Sequence, residues 1–500
     1  MLEDYEMPLD LQLSQSNFET IFYKKQGYAV IRNLALTCQL NTIGNRLQSW
    51  RVFLGIFQEN SDISSWEQTI VQSRRAFAQL KSSTQIDGKG GDPLTHHSNN
   101  PWNQLYKDKD LKNEIQRDVD RTFQKNPFFR LEFVKKMMIE VLFIWAKAHP
   151  NISYRQGMNE ILAFIVVVVY GERAHGNITI KEPSARVLRL LNDEDSIESD
   201  VYQLFDRIMI MGLADLNAPV ENQELPNKKG RLLFLDPLNQ RYQSEDLSAS
   251  LVLRKCNLIF HVYLKAIDPQ LYEHLDNEKI EPHLFLLRWL RCLCAREFTM
   301  SNVLILWDAI FASQAINIEN NREDITGRID KTREFVMLDF VSVAMIVFVR
   351  NHLVNADSAS ILQRLLKYPP VEDIGSLVDL SMKCRDFIFS GDINKKPNLP
   401  DFPFIEPPRK TEKQKKVEKK YSESKSKKKQ EAQMMTLHSF SQWKNESSLQ
   451  NDLEVLNSSL NSVNEIIELI QSQISSNSYS LEEAVHAHEE LNKIKQGFTT

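Results

Sequence analysis

Two short stretches carry residue types that could act together on a phosphoryl group. In "NEIQRDVDRTF" Ile115, Asp118 and Arg121 recur at three-residue spacing, and in "YRQGMNE" Tyr154, Gln156, Gly157, Met158 and Asn159 stand side by side. Arginine suits phosphate because its planar guanidinium gives two parallel, charge-assisted hydrogen bonds. On a helix, Asp118 at i, i+3 can hold Arg121 in one orientation and leave its other donors for an anion. Gln156 has an acceptor and a donor at one tip and can orient a water. Gly157 lets the backbone approach a ligand closely. An arginine against transferring phosphoryl oxygens and a glutamine positioning water is the pairing that phosphoryl transfer to water requires. Taken singly, each has a plainer reading: a surface ion pair for Asp118 and Arg121, a helix start for Gln156-Gly157.

The sequence has no GxxxxGK[ST] phosphate loop, which needs a strand before it. The chain is therefore expected not to hold the nucleotide itself but to lend Arg121 and Gln156 to a partner that does. Other polar residues are read as structural. His96-His97 lack a ligand set at metal spacing and are expected in an exposed loop. Glu140 and Glu160 form no paired-carboxylate site. Trp289 and Trp307 lie in strongly apolar segments and are expected in the core.

The elements that must position these residues are helical. Gly (15) and Pro (18) are scarce for 500 residues that are 42% hydrophobic, which favours helix and allows a large core. "RLQSWRVFLGIF" places Leu47, Trp50, Phe53 and Leu54 at helical spacing, and a second helix is expected from a Ser64 or Ser65 cap to about Lys81. Residues 87–101 are glycine-, proline- and asparagine-rich and read as loop. From Pro101 to about Tyr170 the pattern is helical throughout. Ile161–Tyr170, the longest apolar run, is half of the roughly 20 residues a membrane-spanning helix needs and is expected to be a core helix. Residues 172–200 read as polar and broken, 220–248 as an irregular insertion, and Leu251 to about Phe389 as helices of 12–20 residues. The five cysteines are scattered with no CxxC pair; they read as small buried apolar residues in a reducing compartment. No basic region followed by an apolar stretch opens the chain, so no signal peptide is expected.

The composition then shifts. Asn394–Pro408 holds five prolines, and Arg409–Lys429 has eleven basic and three acidic residues, net +8, in a chain whose net charge is −5. That balance argues against a nucleic-acid binder as a whole. The basic run reads first as a solvated linker or a charged single helix, and otherwise as a tether to anionic lipid or a nuclear address. Leu453, Leu456, Leu460, Val463, Ile467, Ile470 and Ile474 make an a/d seam over three heptads, fit either for self-association or for folding back onto the main domain.

"IQRDVDRT" followed by "YRQGMN" resembles the paired signature of TBC-domain proteins, the GTPase-activating proteins of Rab-type small GTPases. "RLQSWRVFLGIF", with Arg46 and Trp50, is similar to the family's early R-x-x-x-W segment. "LRWLRCLCAREFTMSNVLILWDAIF", with Arg288, Trp289, Arg296, Glu297, Phe298, Trp307 and Asp308, resembles its later RW…REF…WD block. "YRQGMNEILAFI", "DPL" and "YEHLDNEKIEPHLFLLRWLR" most resemble a subgroup linked to retromer and endosomal traffic. The resemblance implies an all-α, two-lobed fold with the catalytic groups in a groove. It puts Arg121 on the family's arginine finger and Gln156 on its glutamine finger, Asp118 on the residue that steadies the arginine, and Tyr154, Gly157 and Asn159 on positions that shape the glutamine loop. GTP and Mg²⁺ would belong to the partner, leaving this chain no cofactor or metal of its own. Gln124 departs from a common proline, and the early segment lacks the Leu-Arg-Pro lead.

The expected organisation is an N-terminal lead over 1–29, a TBC domain over 30–395, a Pro-rich then Lys-rich linker over 396–450 and a heptad helix region over 451–500. The expected partners are a Rab-type GTPase and a retromer-like complex, with a membrane contact through 409–429 and self-association through 453–474. The expected location is cytoplasmic, peripheral on endosomal membranes. A rival reading is a helical scaffold that binds a GTPase or coat without turning it over.

Overall fold

The computed structural model describes residues 14–22, 27–58, 63–84, 101–172, 178–218, 250–320 and 335–390. The expected insertion at 220–248, His96-His97, the basic run and the heptad seam lie outside the described residues. Every regular element among the described residues is helical, as the scarcity of glycine and proline predicts.

The first group comprises α1 (Gln15–Phe22), α2 (Gly27–Leu36), α3 (Arg46–Phe53), α4 (Ile63–Thr84), α5 (Pro101–Asp120), α6 (Glu132–Ala148), α7 (Met158–Gly171), α8 (Ser184–Leu191), α9 (Ile197–Ile208) and α10 (Ala214–Asn217). The second comprises α11 (Leu251–Asn257), α12 (Lys265–Ile267), α13 (Pro269–Asn277), α14 (His283–Arg291), α15 (Met300–Asn320), α16 (Val336–Phe348), α17 (Arg350–Leu353), α18 (Ser358–Leu366) and α19 (Ile374–Ser390). Each group is built round one largely apolar helix that is buried on every side. Helix α7 is buried from Ile161 to Gly171 and is flanked by α3, α5, α6 and α9. Helix α16 is buried from Val336 to Val347 and is flanked by α14, α15 and α19. A helix apolar all round has no wet face and must lie inside. That explains the run Ile161–Tyr170, and no helix among the described residues is long and apolar enough to cross a membrane.

Helix α15 joins the two groups, packing on α2 and α3 as well as on α16 and α19. Its Asp308 is the pin. Arg46 Nε donates to Asp308 Oδ1 at 2.9 Å and Arg46 Nη2 to Oδ2 at 3.0 Å, while Trp50 Nε1 donates to Oδ1 at 2.7 Å. All three side chains are buried. Glu172, just past α7, accepts from the backbone N–H groups of Arg46 at 2.8 Å and Leu47 at 2.6 Å. It thus caps the positive end of α3 with a carboxylate from the α7 side. Burial pushes the Glu172 carboxyl up to about 7, against the pull of Arg46 and the two backbone donors.

Several boundaries differ from the sequence reading. Helix α4 begins at Ile63 rather than behind a serine cap and runs to Thr84. The stretch from Pro101 to Tyr170 is three helices separated by turns at 121–131 and 149–157. Residues 172–200 contain α8 and the start of α9; α8 buries Val187, Leu188 and Leu191 and exposes Arg186 and Arg189, an apolar stripe too short to stand out between polar flanks. The second group mixes helices of three to nine residues with the longer ones, shorter than the expected 12–20. Trp289 and Trp307 are fully buried. Cys256, Cys292, Cys294 and Cys384 are buried free thiols, and Cys38 is partly exposed; burial holds all five above the usual thiol range, which keeps them as unreactive thiols.

Candidate functional site

The two candidate segments occupy the two turns that interrupt the Pro101–Tyr170 region. Helix α5 ends at Asp120, so Arg121 is the first residue of the turn rather than part of the helix. The turn is held by Phe123 in the left-handed region, φ 41°, and by the Asn126 side chain accepting from Phe128 N at 3.0 Å. The second turn leaves α6 at His149, whose carbonyl accepts from Ser153 N at 2.8 Å, and closes at Gly157, the cap of α7.

Arg121 Nη2 lies 2.7 Å from Asp118 Oδ1, with the arginine side chain 55% exposed and the carboxylate 11%. The other oxygen of that carboxylate, Oδ2, accepts from the Tyr154 hydroxyl at 2.7 Å. On the far side of Tyr154 the Asn159 side-chain oxygen Oδ1 stands 3.2 Å away and accepts from Gly157 N at 3.1 Å. Asn159 Nδ2 donates to Thr122 Oγ1 at 2.8 Å, and the Thr122 hydroxyl donates to the Asp118 backbone carbonyl at 2.7 Å. Asp118, Thr122, Tyr154 and Asn159 are buried, while Arg121 and Gln156 are exposed. A closed, satisfied network therefore joins the two turns, and Arg121 and Gln156 are exposed on them. Burial first, and then the hydrogen bond to Asp118, hold the Tyr154 phenol far above its usual range, so it remains a donor to the carboxylate at every ordinary pH.

Gly157 has φ 108°, and a Cβ there would lie 3.0 Å from Cys292 Sγ. Both facts require glycine: the left-handed backbone, and the sulfur pressed against the space a methyl would fill. The segment behind it is the turn after α14. It is shaped by Leu293 and Cys294 at φ 48° and 57°, and fastened by Trp307 Nε1 donating to the Leu293 carbonyl at 2.9 Å. Arg296 Nε donates to Glu160 in the first turn of α7 at 2.7 Å, and Arg288 grips Glu297 through two bonds of 2.7 and 2.8 Å. The RW…REF…WD block thus buttresses the glutamine turn and, through Asp308, the α3 segment as well.

All six candidate residues lie in this cluster. Asp118, Tyr154, Gly157 and Asn159 form its base with Arg121, and Gln156 lies in the same turn as Tyr154 and Gly157. Sequence reasoning missed Thr122 and Glu172. Thr122 could have been found as the hydroxyl one turn beyond Asp118; no local signal marks the partners of Glu172. Glu140 pairs with Lys112 at 3.1 Å, and Glu160 with Arg296, so neither belongs to a carboxylate pair. No group of metal-ligating side chains occurs among the described residues.

The family model of the Rab-GTPase-TBC domain matches residues 46–219 and 231–321. The chain belongs to that family. The TBC match takes in both turns of the site and the buttressing block, and it breaks between residues 219 and 231. Among its relatives, TBC1 domain family member 5 of Mus musculus is 29% identical over 383 residues, 74% of this chain and 44% of that protein. TBC1 domain family member 5 homolog B of Dictyostelium discoideum is 27% identical over 463 residues, 76% of this chain and 44% of that protein. This TBC chain therefore spans under half the length of the relatives it matches. The crystal structure of the Ypt/Rab-GAP domain of Gyp1p aligns with a TM-score of 0.49 at 18% identity, covering 73% of this chain and 96% of that one.

Proposed function

We propose that this TBC chain accelerates GTP hydrolysis by a Rab-type small GTPase, with Arg121 and Gln156 entering the partner's nucleotide site in trans. The observation that carries this reading is the bonded path from Arg121 through Asp118 and Tyr154 to Asn159 and Gly157. It makes the two turns one unit, and each turn carries one of the two exposed side chains.

The roles follow from that geometry. Asp118 holds one edge of the guanidinium, leaving other N–H groups free to meet charge developing between the β- and γ-phosphates. Gln156, set by the Gly157 turn, orients the attacking water through its carboxamide. Fixing both tips beforehand removes ordering cost at the moment of reaction. GTP and Mg²⁺ are carried by the partner, whose ion neutralises phosphate charge.

The finer parts of the proposal rest on the sequence. Work in endosomal or vesicle traffic and a retromer-like partner follow from the subgroup resemblance. Residues 409–429 would contact anionic membrane by charge, and 453–474 would self-associate through the heptad seam. The deciding experiment is multiple-turnover hydrolysis against a panel of Rab proteins, with binding measured in parallel. Acceleration of about 10³-fold or more, in the range an arginine supplied in trans gives, is expected for at least one member. Binding without any change of rate would replace the activator with the scaffold.

A further inference from the structure

Around the glutamine turn three carboxylates are already engaged. Asp118 is shared by Arg121 and Tyr154, Glu160 is taken by Arg296, and Glu297 by Arg288. Arg155, next to Gln156, is exposed and has no acidic partner among the described residues. Arg291, partly buried at the end of α14, precedes the Cys292 whose sulfur abuts Gly157, and its Nε donates to a neutral group, the Leu216 carbonyl at 3.1 Å. Burial chiefly lowers the Arg291 pKa; the thiols of Cys256 and Cys292 act to raise it, and the charge of Arg155 acts to lower it. Arg121 is already paired with Asp118, so the guanidinium groups left without an ion pair at this turn, among the described residues, are those of Arg155 and Arg291. Like charges set together cost stability unless an anion arrives. Charges at the edge of an interface act on encounter and partner choice more than on chemistry.

We propose that Arg155, backed by Arg291, pairs with a carboxylate on the surface of the GTPase beside its nucleotide, and so selects which GTPases are bound. This rests on the activator reading of the site. Arg155 is a specificity residue on this account and not a group that touches the reacting phosphates. Its backbone N–H already serves the turn, donating to Met158 Sδ at 3.3 Å, so the side chain is free for recognition while the main chain keeps Gln156 in place.

The test uses Arg155→Gln and Arg155→Glu in the full chain, with kcat and KM measured on the best GTPase of the panel at low and high salt. Affinity for the GTPase loaded with a non-hydrolysable GTP analogue is measured alongside. Arg155→Gln should raise KM and Kd roughly tenfold, the scale of one rim charge pair, with kcat within twofold, and should flatten the salt dependence. Arg155→Glu should be worse than Arg155→Gln at low salt and converge with it at high salt. A drop in kcat at constant KM would overturn the proposal by placing Arg155 on the nucleotide or under Gln156. Unchanged KM and Kd would overturn it by making Arg155 a solvated bystander. Should the wild type bind without accelerating, the activator reading fails and the Kd values still decide the role of Arg155. A wild type that neither binds nor accelerates any member overturns both.

Discussion

The Tyr154 hydroxyl donates to Asp118 Oδ2 at 2.7 Å, the same carboxylate whose Oδ1 holds Arg121. One buried phenol thus fixes the acid that fixes the arginine, and it does so from the turn that carries the glutamine.

Tyr154→Phe removes that donor and leaves a buried carboxylate oxygen unsatisfied, a loss of about 1–3 kcal/mol. Acceleration of the partner GTPase should fall about tenfold or more, mainly in kcat, because Arg121 is no longer held in one orientation. A variant with unchanged kcat would separate Tyr154 from the arginine.

Gly157→Ala imposes a Cβ on a backbone with φ 108° and presses it 3.0 Å from Cys292 Sγ. We expect a loss of about 1–3 kcal/mol, the scale of backbone strain, read by chemical denaturation. Adding Cys292→Ala relieves the contact but not the dihedral strain and should recover only part. Full recovery would mean that crowding alone requires glycine there.

Asp308→Ala strands Arg46 and Trp50 Nε1 in the core. Breaking a buried ion pair from one side costs about 3–5 kcal/mol, so the variant should melt far lower or fail to accumulate as a folded protein. A melting point within a few degrees of wild type would show that Arg46 finds another partner.

Glu172 gives a pH signature. Its carboxyl titrates at about 7 in the fold against an ordinary value of 4.5. Folding therefore takes up a proton at this group between those values. The contribution is fully present below about pH 4.5 and is lost as pH rises to about 7. Glu172→Gln should flatten that portion of the stability profile while lowering stability at acid pH by about 1 kcal/mol through the weakened α3 cap. Equal slopes in variant and wild type between pH 4.5 and 7 would reject the assignment.

How far these features could be read from the sequence depended on their range. The Asp118–Arg121 pair and the Tyr154–Asn159 cluster were legible because each is local, and because phosphate and water impose known demands on arginine and glutamine. The all-helical fold was legible from the scarcity of breakers and from the run Ile161–Tyr170, too apolar to have a wet side. That Arg121 stands just past α5 was not legible. Thr122, Phe123 and Gln124 are no strong breakers, and the left-handed Phe123 is imposed by packing. Nor was Glu172, whose partners at Arg46 and Leu47 lie more than a hundred residues earlier; nothing in an acid after an apolar helix says which N-terminus it caps.

The most direct test compares wild type, Arg121→Ala and Gln156→Ala on the Rab-type GTPase that responds best, in single-turnover hydrolysis with thermal melts as controls. Gln156 is exposed, so Gln156→Ala should change stability by no more than about 0.5 kcal/mol. Arg121→Ala leaves Asp118 Oδ1 without its ion pair and should cost about 1–3 kcal/mol, leaving the fold intact. The account predicts that acceleration falls by about 10³-fold or more for Arg121→Ala and drops sharply for Gln156→Ala, with both proteins folded. Undiminished acceleration by folded Arg121→Ala would contradict it.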